Sequence, residues 1–154
     1  MKTQQITALG QCFEFSHQMA VDWCKDAEEL AAETESRHIS KETIYRRLVN
    51  STEFFRVVHG TIGNRFNPDE NQQVVHAWVE IGVNEEALCF DAQSSFTKPN
   101  GVPRAAFYDV HQQVTVYQVF SATEAVRNQF ERGDCPWDET LLAMMRERDA
   151  RREV

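Results

Sequence analysis

Between positions 10 and 32 the apolar residues Phe15, Met19, Ala20, Trp23, Ala27 and Leu30 recur three or four apart, the spacing of a helix that buries one face. Gly10 stands just before this stretch, so the pattern predicts a long first helix with Cys12 in its opening turn. A mostly polar segment follows, in which Ser40 reads as the cap of a short second helix running through Ile44, Tyr45 and Leu48 to about Val49. From Phe54 to Ile62 the chain turns aromatic and β-branched and then closes with Gly63-Asn64, which reads as a strand. The polar stretch Asn64 to Gln73, with Pro68 inside it, reads as a loop.

Val74 to Ile81 alternates strictly, with His76, Trp78 and Glu80 on one face and Val75, Ala77, Val79 and Ile81 on the other. Asn84-Glu85-Glu86 makes a short turn into Ala87 to Ala92, so the two strands are expected to form an antiparallel hairpin. The far end of its second strand then lies beside the start of its first. In that register Ala87, Cys89 and Asp91 share a face with His76.

Ser94 to Pro103 is rich in Ser, Pro, Asn and Gly and reads as a surface loop, while Ala105 to Tyr108 and Val114 to Phe120 are expected to add one or two strands. Ser121-Ala122-Thr123-Glu124 matches a capping box ahead of a helix that Gly133 can end. Asp138 can cap a last helix through Met145, followed by a charged tail from Arg146 to Val154. These elements predict one α+β domain over residues 1–154, an antiparallel sheet of four to five strands packed on the central helix that bears the cysteine.

Composition narrows the partners. Sixteen Lys and Arg against twenty-four Asp and Glu give a net charge of −8, which disfavours binding to nucleic acid or to anionic membranes. No signal-like or membrane-spanning apolar run is evident, so a cytoplasmic location is expected. The four cysteines, Cys12, Cys24, Cys89 and Cys135, show no close pairing and are expected as thiols. Neither a Gly-x-Ser-x-Gly segment nor a glycine-rich phosphate loop is present.

What remains is a thiol, an imidazole and a carboxylate. A thiolate is a strong nucleophile once its proton is taken, and an imidazole held by a carboxylate is suited to take it near neutral pH. Cys12 in a first turn would gain from unpaired backbone N–H groups and the positive dipole end, which lower a thiol pKa, and its own N–H is the expected oxyanion donor. His59 on the neighbouring strand is a further candidate base, and His17 falls too far around the helix to serve Cys12. Cys, His and Asp also ligate zinc. No close-spaced Cys or His pair of the finger kind occurs, so neither metal nor cofactor is expected.

The order Gly10-Gln11-Cys12, His76-Ala77-Trp78-Val79-Glu80 and Phe90-Asp91-Ala92 resembles the transglutaminase-like branch of the papain-like cysteine enzymes. There a Gly-x-Cys opens the central helix, a His-Ala-Trp-Val-Glu type strand carries the base, and an aspartate lies on the next strand. The resemblance spans roughly Gly10 to Gln93 and implies catalytic roles for Cys12, His76 and Asp91, with Gln11 and Trp78 beside the substrate. It implies acyl transfer on a protein, peptide or small amide, with hydrolysis and transfer to an amine both open. The alternative is a non-catalytic binding or accessory module on the same scaffold. Trp78 is open to two readings, as a wall of the site or as packing.

Overall fold

A computed structural model describes residues 2–63, 73–95 and 97–132. Residues 64–72 of the expected loop, Gly133, Cys135, the expected helix from Asp138 to Met145 and the tail after it lie outside the described residues. The alternating segment is strand β2 (Gln73–Ile81), the middle of five. It pairs antiparallel with β1 (Phe55–Gly63) on one side and β3 (Leu88–Phe90) on the other, in the registers His59↔Ala77 and Glu80↔Cys89. Gly82, at φ +118°, starts the turn between β2 and β3, and a Cβ there would stand 3.0 Å from the Ala87 Cα. Glycine alone takes that conformation freely. β4 (Val102–Pro103) borders β3, and β5 (Thr115–Phe120) borders β1, giving the order β4-β3-β2-β1-β5.

Strand alternation sends neighbouring side chains to opposite sides, and the helices divide accordingly. Val57 and Val79 pack with Ala20 and Ala27 of α1 (Lys2–Thr34), Leu48 and Val49 of α2 (Lys41–Asn50), and Ala125 of α4 (Ala122–Arg132). Nearer the start of α1, Cys12 and Phe13 close on Val75 and Ala77. The other side carries Val58, Trp78 and Cys89, covered by Phe107 of α3 (Arg104–His111). Both caps expected for α2 and α4 form. The Thr43 N–H donates to the Ser40 hydroxyl at 3.2 Å. The Glu124 N–H donates to the Ser121 hydroxyl at 3.2 Å, while the Ser121 N–H donates back to the Glu124 carboxylate at 3.1 Å.

Two elements correct the sequence reading. Ala105 to Tyr108 is not a strand but the body of α3, because Phe107 and His111, four residues apart, form one buried helical face against the sheet. The first helix begins at Lys2 rather than near Gly10. Cys12 is therefore interior to α1, where its N–H belongs to the helical ladder and the terminal dipole does not reach it.

The α3 side also holds a buried acid. Glu80 is 1% exposed and accepts from Arg56 Nη2 at 2.8 Å, Trp78 Nε1 at 2.9 Å and the Tyr108 hydroxyl at 2.6 Å. Burial acts to raise its pKa, but these donors outweigh it and hold the carboxyl below its usual value. The network ties β1, β2 and α3 together beneath the candidate site. Among the described residues no helix is long and apolar enough to cross a membrane.

Candidate active site

The hairpin register brings His76 and Asp91 together. Asp91 follows the last residue of β3, and its Oδ2 accepts from His76 Nε2 at 2.9 Å. Its other oxygen, Oδ1, accepts from both the N–H and the hydroxyl of Ser94, so both carboxylate oxygens are engaged. Burial alone would raise the Asp91 pKa, but the imidazoles of His111 and His76 and the Ser94 donors hold it well below the usual carboxylate range. His76 is itself buried, and burial lowers its pKa against the opposing pull of Asp91. With Nε2–H given to the carboxylate, the neutral ring keeps its lone pair on Nδ1.

Cys12 reaches this region from α1. Its Sγ accepts a hydrogen bond from Gln93 Nε2 at 2.8 Å, and the Ala77 N–H and the Asp91 charge both act on it. The thiol is wholly buried, packed with Val75 and Ala77. The His76 ring belongs to the other side of β2, lying against Trp78 at 5.8 Å and His111 at 5.6 Å between ring centroids. Asp91 and Gln93, two residues apart, thus link the imidazole on one side to the sulfur on the other. Burial pushes the Cys12 thiol up to about 11; the Gln93 amide opposes this and Asp91 adds to it. The lowered thiol expected from a helix N-terminus is accordingly reversed, and the Gln93 amide and the Ala77 N–H join the Cys12 N–H as donors acting on the sulfur.

The remaining candidates separate. Trp78 is fully buried, donates to Glu80 and stacks against His76. The Gln11 side chain lies outside the described residues. His59 stands on the α1 side, edge-on to Phe13 at 4.7 Å and to Phe120 at 5.0 Å. His17 is a core histidine whose Nδ1 meets the Ala125 carbonyl at 3.0 Å. Cys89 is buried, its thiol pushed up by burial to about 12, and Cys24 is half-buried.

Three residues of the site escaped the sequence reading: Gln93, Ser94 and His111. Ser94 was signalled by its place three residues after Asp91, a spacing at which an aspartate turns back on the backbone. His111 was hidden by the strand expected at Ala105 to Tyr108, since only a helix puts it on the Phe107 face. Nothing in the local pattern marked Gln93. The chain matches no protein-family model, no curated protein and no solved structure.

Proposed function

We propose that the protein is a thiol-dependent acyl-transfer enzyme, acting on a peptide, isopeptide or other amide bond through Cys12, His76 and Asp91. The observation that carries this reading is the 2.9 Å bond from His76 Nε2 to Asp91, which orients the ring and leaves Nδ1 as the base, with a cysteine held by Gln93 beside the same carboxylate. In this assignment sulfur attacks the carbonyl carbon while its proton passes to His76 and from there to the departing amine, a transfer that requires the sulfur and the ring, resting on two sides of β2, to meet at the substrate. Water or a second nucleophile then cleaves the thioester, with His76 again moving the proton. The Gln93 amide, 2.8 Å from the sulfur, is a donor suited to an oxyanion formed there.

Burial raises the thiol and lowers the imidazole, so both rest neutral and the proton moves only with attack. A rival reading, a non-catalytic binding or accessory module on the same scaffold, draws on the full burial of the thiol. Iodoacetamide labelling near neutral pH, followed by peptide mapping, separates the two. The enzyme reading expects Cys12 to label at least about tenfold faster in the native protein than in His76→Ala, a factor equal to about 1.4 kcal/mol of barrier. Equal rates in the two proteins would favour the module.

A further inference from the structure

On the α3 side of the sheet, two imidazoles converge on one carboxylate oxygen. His76 Nε2 and His111 Nε2 stand 2.9 and 3.7 Å from Asp91 Oδ2. All three ligand atoms lie within 4.8 Å of one another, and all three residues are buried. Around a tetrahedral zinc ion, nitrogen and oxygen ligands at about 2.0–2.2 Å stand roughly 3.3 Å apart. The two observed spacings bracket that value. The residues come from three separate elements, β2, the segment after β3 and the last turn of α3, so the set is a product of the fold and has none of the close spacing by which a zinc site is read from sequence.

We infer that His76, Asp91 and His111 form a site for one divalent transition-metal cation of the zinc class. Two neutral imidazoles and one ionised carboxylate are the donor types such an ion takes, and three protein ligands leave a fourth position for water or another donor. The carboxylate brings one negative charge into a buried setting, where a dication is the complementary partner. Ser94 already holds the second oxygen of Asp91, which fixes the carboxylate as an outer partner of a metal ligand does. The inference stands on this geometry and not on the acyl-transfer reading. The two uses are alternatives at one ring, because a cation on Nε2 moves the N–H of His76 to Nδ1 and removes the lone pair that would serve as base.

Zinc titration of the purified full chain against a chromophoric zinc chelator tests it, with the melting temperature followed in parallel. One zinc ion per chain is expected, with a rise in melting temperature. His111→Ala and Asp91→Asn should each weaken binding at least tenfold and abolish the rise, while Cys12→Ser keeps both. His111→Gln serves as a second variant should His111→Ala fail to fold. A native chain that binds no zinc, binding undiminished in His111→Gln, or binding lost in Cys12→Ser would each overturn the site. The labelling comparison of His76→Ala is read without added metal, so the two proposals fail separately.

Discussion

At the residue scale, the site depends on how burial sets two protonation states. His76 is held below its ordinary value of 6.5 and the thiol is pushed up to about 11. Labelling of Cys12 should therefore rise along an acid limb below pH 6.5 as His76 becomes neutral. It should then stay level through neutrality and climb again near the pKa of the thiol. His76→Ala should keep only the last rise, and a single rise near the ordinary thiol value of about 8.5 would mean a thiol with no assisting base. The His76 and Asp91 partnership was legible in the sequence, because strict alternation and a short turn together set the register of a hairpin. The surroundings of Cys12 were not. Gly10 ahead of the apolar run has the look of a boundary, yet a glycine inside a helix costs only about 1 kcal/mol, and α1 runs through it from Lys2. The alternation also held a warning: the apolar set Val75 and Ala77 is the face a helix covers, and it is opposite His76.

At the element scale, local signals with reciprocal chemistry carried over best. The capping box at Ser121 and Glu124 and the cap at Ser40 both form as expected, since each is specified by a side chain and a backbone group a few residues apart. Ser121→Ala should cost about 1 kcal/mol of stability through the start of α4, measured by urea unfolding; an unchanged midpoint would show that packing of Ala122 and Ala125 sets the helix start without the cap. α3 departs from the strand expected there for the opposite reason. Ala105-Ala106-Phe107-Tyr108 is too short to show either period, and only His111, one turn beyond Phe107, completes the helical face. Gly60 is set by the pairing of whole strands: a Cβ there would collide with the Thr115 carbonyl of β5 and stand 3.3 Å from Trp78, a constraint invisible before the strand order is known.

At the scale of the whole molecule, the sheet divides the buried histidines between two layers, and both layers tie stability to pH. Burial lowers the pKa of His17 on the α1 side and of His76 on the α3 side. Above pH 6.5 folded and unfolded chains both carry these rings neutral, so their effect is constant. As pH falls through 6.5 the unfolded chain takes up protons that the native state refuses, and stability declines. The urea midpoint should drop between pH 7 and pH 5, and His17→Gln, which cannot titrate, should flatten part of the fall. A midpoint independent of pH over that span would contradict the buried neutral rings. The α+β class and the antiparallel sheet followed from patterning, while the separation of Cys12 and His76 onto two sides of β2, joined through Asp91 and Gln93, required the packing of α1 and α3 to be known.

The most direct measurement of the proposed chemistry is acylation by an activated ester. Native protein mixed with p-nitrophenyl acetate should give a burst of nitrophenol close to one equivalent, then slower turnover, with the acyl group mapped to Cys12. Cys12→Ser should abolish the burst, and His76→Ala should slow it at least tenfold. No acyl group on Cys12, or a burst of equal size and rate in His76→Ala, would contradict the assignment of this cysteine and this histidine as nucleophile and base.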